Sequence, residues 1–289
     1  MAQGNAEQAE GAAANILGLA AEWAEQNPSP ELVLMNEAGQ CERTGDWSGA
    51  ESRFQQLVAM AEAASEMHRL AHAQLKLCSL FLLLNRPEPA RAAADAAAAA
   101  ALKSNLCNLQ VAALEMVAVC ALRRSDLAEA LRAAEEAVSR VEGGTRFDHL
   151  RAGAWVTRAR SLAALGDQAG TERDLLASKP FLIDREISPI MAGVLGKAAG
   201  WWEVSATLSS LRGDLGESVK AWSQAVELRR HISALGHVAG PHTLMAMARS
   251  LEGQARGLVA AGRCGESEVA FAEAARLRRE LGVPGTEAG

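Results

Sequence analysis

Few residues in this 289-residue chain have a type and spacing that could support chemistry. Gly193-Val194-Leu195-Gly196-Lys197-Ala198 has the glycines and lysine of a phosphate loop, in which backbone N–H groups cradle phosphates and the lysine reaches the terminal ones. Its spacing is two residues short, Ala198 stands where the metal-binding hydroxyl belongs, and no strand precedes it. His68 and His72 stand four apart and would share one helix face, as two metal ligands must, yet Arg69 occupies the place where a metalloprotease needs glutamate. His231, His237 and His242 surround a loop without a cysteine or paired carboxylate at ligand spacing. No Gly-x-Ser-x-Gly elbow occurs, and no nucleophile can be paired with a base. These residues predict no enzyme, no cofactor and no metal.

The elements that would have to position such residues are far more regular. Turn signals recur at Gly45-Asp46-Trp47, Asn85-Arg86-Pro87, Ser125-Asp126-Leu127, Gly166-Asp167-Gln168, Gly213-Asp214-Leu215 and Gly262-Arg263-Cys264, with steps of 40, 40, 41, 47 and 49 residues. Five residues beyond each turn stand Ala50, Ala90, Ala130, Thr171, Ser218 and Ser267; seven before stand Ala38, Cys78, Ala118, Ala159, Ala206 and Ala255. Small side chains let two antiparallel helices approach across a short turn, and a period of this length marks a helical repeat. Nine residues past the turn come Phe54, Ala94, Ala134, Leu175, Trp222 and Phe271. The larger of these are expected to fill the space between units.

This order of small, turn, small, aromatic and alanine positions resembles the tetratricopeptide repeat (TPR) family, over roughly residues 31 to 281. The likeness is strongest from Gly213 to Ala225, with Trp202 at the family's first-helix aromatic position, which makes Trp202 the core residue and leaves Trp201 at a seam or partly open. All units exceed the family's usual length, as in its long-helix variants. The resemblance implies an all-α solenoid, a right-handed superhelix of about six helix pairs. A tail and capping helix over 1–30 and a flexible tail over 282–289 are expected on either side of it.

Composition agrees with an almost wholly helical chain: Tyr is absent and Pro numbers 8 in 289. The five cysteines are scattered and odd in number, so all are expected to be reduced, in a cytoplasmic setting. Met1 to Glu10 carries glutamate rather than Lys or Arg, unlike a signal peptide, and no apolar stretch predicts a membrane span. The net charge of −6 divides into −8 over residues 1 to 142 and +2 over 143 to 289, and neither half has the clustered charge of a nucleic-acid surface. Arg229-Arg230-His231 and Arg276, Arg278 and Arg279 fall near the ends of second helices, where they complement the helix dipole.

First helices line the concave face of the arrays this chain resembles, so the repeat register implies which residues face a partner. Leu75, Leu82, Val119 and Leu122 would form an apolar stretch in units two and three; Arg160, Glu203, Glu252 and Arg256 would charge the later groove. Such a groove suits an extended or helical segment of another protein. The family's clamp for a C-terminal carboxylate needs Lys and Asn, and Met35 and Gly39 stand at those sites in the first unit. The expected function is a non-catalytic protein-interaction scaffold that binds neither nucleic acid nor membrane; the alternative is a ligand- or peptide-sensing regulatory module.

Overall fold

A computed structural model describes residues 29–142, 148–184, 192–235 and 240–282, and within them every regular element is helical. Twelve α-helices follow one another: α1 (Pro30–Thr44), α2 (Trp47–Ala63), α3 (Met67–Leu83), α4 (Pro87–Ser104), α5 (Cys107–Arg123), α6 (Leu127–Glu142), α7 (Asp148–Ala164), α8 (Gln168–Leu182), α9 (Ala192–Leu211), α10 (Leu215–Ala234), α11 (Pro241–Ala260) and α12 (Cys264–Glu280). The capping helix expected over 1–30 lies outside the described residues except at its end. There Ser29 accepts the Leu32 N–H at 3.2 Å and Pro30 opens α1.

The six turns all adopt the left-handed conformation. Gly45, Asn85, Ser125, Gly166, Gly213 and Gly262 have φ between 54° and 80°. The next N–H in each case reaches back to a carbonyl five residues earlier, from Asp46 to Cys41 at 2.9 Å through Asp214 to Ser209 at 2.9 Å, which closes the last helical turn. The aspartate that follows then starts the second helix. Asp46, Asp126, Asp167 and Asp214 each accept the N–H three residues on, at 2.9, 3.1, 2.9 and 3.0 Å. Glycine thus supplies a backbone conformation that costs other residues about 1 to 2 kcal/mol, and aspartate satisfies an orphan donor of the next helix. Ser65 and Asn105 form two further left-handed turns, from α2 to α3 and from α4 to α5, where no Gly-Asp pair marks the sequence.

The small residues on both sides of each turn are buried as their spacing requires. None of the twelve exceeds 3% exposure. The bulky positions behave less uniformly: Phe54 and Leu175 are buried, while Trp222 is half-buried with its ring over Gly253, where an added Cβ would stand 2.4 Å from the indole. Phe271 departs from expectation at 40% exposed. It belongs to the last described helix, and among the described residues no further helix closes over it. Trp222→Ala is therefore expected to cost about 3 kcal/mol, and Phe271→Ala under about 0.5 kcal/mol. Urea denaturation of both variants checks this, and equal losses would contradict the packing.

One further reading is corrected. Trp202, expected to be the core residue, is half-buried, and it is Trp201 at the seam with the fourth pair that is buried in the α7–α9 core, donating its indole N–H to the Leu175 carbonyl at 2.9 Å with Trp202 edge-on to it. The carbonyl within reach decides, because a buried indole N–H needs an acceptor. In the fourth pair α8 runs through Pro180 to Leu182, which is buried in the same core.

The chain divides into two compact units, with the boundary inside α2 between Leu57 and Val58. In the smaller unit, α1 and the start of α2 are tied by the Arg53–Glu37 ion pair at 2.5 Å. The larger unit holds α3 to α12, packed as the consecutive pairs α3/α4, α5/α6, α7/α8, α9/α10 and α11/α12. Ion pairs such as Arg91–Glu129 and Arg230–Glu273 staple successive second helices. Among the described residues no helix is long and apolar enough to cross a membrane.

Candidate partner-binding groove

The first helices of the larger unit form one layer. α3 packs on α5, α5 on α7, α7 on α9, and α9 on α11. α11 then returns to α3, where Arg249 Nη2 donates to the Leu82 carbonyl at 3.2 Å across 167 residues of sequence. The five first helices thus each pack on the next, and the last returns to the first.

The apolar stretch is less open than its spacing suggested. Leu75, Leu82, Val119 and Leu122 are all partly buried. Leu75 packs against the alanine core formed by Ala71, Ala97, Ala100, Ala101 and Ala113, so it belongs as much to the α3–α5 seam as to the groove. Leu82 lies beneath the returning α11. A cleft of about 150 Å³ remains there, lined by Leu82, Leu83, Met116, His242, Met245 and Arg249.

The charged part is a network rather than a row of free side chains. Glu203 on α9 accepts from Arg160 on α7 at 3.2 Å, from Arg229 on α10 at 3.1 Å and from the Ser250 hydroxyl on α11 at 2.8 Å. Burial alone would raise its pKa, but the two guanidinium groups and the hydroxyl outweigh this and hold it below the usual carboxylate range. Glu115 on α5 meets Lys197 on α9 at 3.4 Å, and here burial prevails and pushes the carboxyl up. That pair passes over α7 at Gly153, where a Cβ would stand 2.0 Å from Lys197 Nζ. Glu252 on α11 pairs with Arg278 on α12 at 2.6 Å. Arg256 is exposed and makes no ion pair among the described residues.

The groups singled out for chemistry take structural places. Gly193 to Ala198 is the start of α9, and its lysine is the partner of Glu115. His68 and His72 share α3, and among the described residues no group of three or more His, Cys, Asp or Glu could hold a metal ion. The five thiols are unbridged; Cys78 and Cys120 meet in the core with sulfurs 3.7 Å apart.

Sequence reasoning missed three groove residues. Arg229 and Arg278 do not merely complement helix ends; their side chains reach inward to Glu203 and Glu252. Arg249 carried no signal at all, because its role depends on α11 meeting α3.

No description of a known protein family matches the chain, and no curated protein sequence does. Solved structures do. BtubC (BKLC) from P. vanneervenii superposes with a TM-score of 0.55 at 12% identity, covering 84% of this chain and 95% of that one. The fold is that of a TPR-like repeat array. A second TPR-like neighbour, a Rap protein complexed with competence and sporulation factor, superposes with a TM-score of 0.55 at 10% identity over 84% of this chain and 73% of its own. At these identities the likeness concerns the fold. In a TPR-like array each pair contacts mainly its neighbours, so the inner face is built from side chains that the core does not dictate.

Proposed function

We propose that this TPR-like protein is a non-catalytic interaction scaffold whose inner groove holds a segment of another protein. The observation that carries the reading is the cleft at the α3–α5–α11 junction, where the half-buried Leu82 and Met116 offer apolar surface over the buried Met245 and beside the Arg249 guanidinium. An apolar patch with a charged rim inside an enclosed groove gains from burial at about 25 cal/mol per Å², before ordering costs. The chemistry-bearing groups of that face support binding rather than catalysis: Glu115, Glu203 and Glu252 are each engaged by a cation. The Rap neighbour, solved in complex with competence and sporulation factor, shows that a fold of this kind can carry a bound partner. The scattered, unbridged cysteines support a reducing, cytoplasmic setting.

The test is selection of random dodecapeptides displayed on phage against the immobilised full chain, followed by fluorescence anisotropy with a synthetic copy of an enriched peptide. Leu82→Glu and Leu122→Glu together are expected to weaken binding by about tenfold or more while the circular dichroism spectrum is retained. Undiminished binding in a folded double variant would place the partner elsewhere.

A further inference from the structure

We propose that Cys78 on α3 and Cys120 on α5 form a redox modification site, a buried dithiol that hydrogen peroxide converts to a disulfide tying the first helices of the second and third pairs together.

The two sulfurs stand 3.7 Å apart, from residues 42 apart in sequence, and both residues are fully buried. The repeat does not require a thiol at either place. Five of the six pairs have alanine where Cys78 stands, seven residues before the turn. At the place of Cys120, five before the turn, the other pairs have Gln40, Leu80, Ser161, Leu208 and Gly257. Two cysteines at different register positions thus meet only because α3 packs on α5. The other three thiols are placed differently: Cys107 donates to the Arg140 carbonyl at 3.6 Å, Cys41 lies beside Asp46, and Cys264 is exposed.

A disulfide holds its sulfurs at about 2.05 Å, and about 30° of torsion at each cysteine supplies most of the remaining approach. The pair also has an order of reaction. A hydrogen bond from the Cys78 thiol lowers the pKa of Cys120, and the charges of Arg91 and Arg123 add to this against the cost of burial. The same hydrogen bond, together with burial, pushes Cys78 up. Cys120 is therefore the thiolate that attacks first. It displaces hydroxide from the peroxide and becomes a sulfenic acid, and the hydroxide takes up the thiol proton as water. The Cys78 sulfur then attacks the sulfenic sulfur while its proton leaves with the displaced oxygen as a second water. One peroxide is reduced to two waters as two thiols become one disulfide.

The cleft at α3, α5 and α11 supplies access. It is lined by Ser79, next to Cys78, and by Met116, one helical turn before Cys120, and its volume of about 150 Å³ admits a molecule little larger than water. In a reducing setting the pair rests as thiols and records a rise in peroxide as a covalent tie between the second and third pairs.

The test is oxidation of the folded full chain with hydrogen peroxide, alkylation of the remaining thiols in denaturant, and tandem mass spectrometry of the digest. A fragment linked through Cys78 and Cys120 is expected, reversed by dithiothreitol, abolished by Cys120→Ser and retained in Cys107→Ser. The linked protein should melt about 5 °C higher, because the bond joins residues 42 apart in the unfolded chain. Oxidation of the exposed Cys264 reports that the peroxide has acted, so its modification without a Cys78–Cys120 link would overturn the proposal. A link that forms only after urea has unfolded the chain, or that lowers the melting temperature, would overturn it as well, since the packing of α3 on α5 would then not be what makes the bond.

Discussion

Asp174→Asn is expected to destabilise the protein by roughly 3 to 5 kcal/mol, the cost of leaving one member of a buried ion pair uncompensated. Asp174 on α8 is 1% exposed and accepts from Arg158 on α7 through both oxygens, at 2.6 and 2.8 Å. The amide removes the negative charge and turns a donor toward the guanidinium. Arg158, at 20% side-chain exposure, cannot swing fully into water to recover. The neighbouring Arg173, 67% exposed, gives little in return. Urea denaturation measures the loss, with Asp95→Asn as the control: Asp95 is 52% exposed and pairs with Arg91, so its replacement should cost under about 0.5 kcal/mol. Similar losses for the two variants would show that the α7–α8 pair does not depend on the buried charge.

The second large effect is expected at Glu203. Glu203→Gln leaves Arg160 and Arg229 facing each other at a side chain only 18% exposed, with an expected cost on the order of 3 kcal/mol near neutral pH. The sign of its pH dependence follows from the lowered pKa. Stabilisation by the carboxylate is present above the ordinary value of 4.5 and is lost as pH falls through the lower folded-state value, so wild type and variant should converge in acid. Glu115 has the opposite sign. Its raised folded-state pKa means that stability present below 4.5 is lost as pH rises through the higher value. The gap between wild type and Glu115→Gln should therefore narrow, or reverse, toward neutral pH. Denaturation midpoints at pH 3.5, 5 and 7 for both variants distinguish the two carboxylates, and parallel profiles would contradict the assigned environments.

Near-neutral stability and groove chemistry are thus tied together. The carboxylates that line the inner face are also what keeps most of its cations satisfied.

What the sequence by itself determined was the turn, the cap and the close crossing within each helix pair. A left-handed glycine, an aspartate one residue later and small residues at fixed offsets are local requirements, met over about twenty residues, and they specify turn, cap and crossing without reference to the rest of the chain. The Ser65 and Asn105 turns escaped because they lie between pairs, midway between the recurring turn signals, where the repeat period marks nothing. Only tertiary structure decided the inner face. Whether Trp201 or Trp202 is core depended on which found a carbonyl to hydrogen-bond; Phe271 stayed exposed because no described helix follows to cover it. The contact of α11 with α3 arises from small rotations accumulated over five pairs, a sum that no single repeat encodes. That contact brings Arg249 to Leu82, and so the most specific feature of the groove joins residues 167 positions apart.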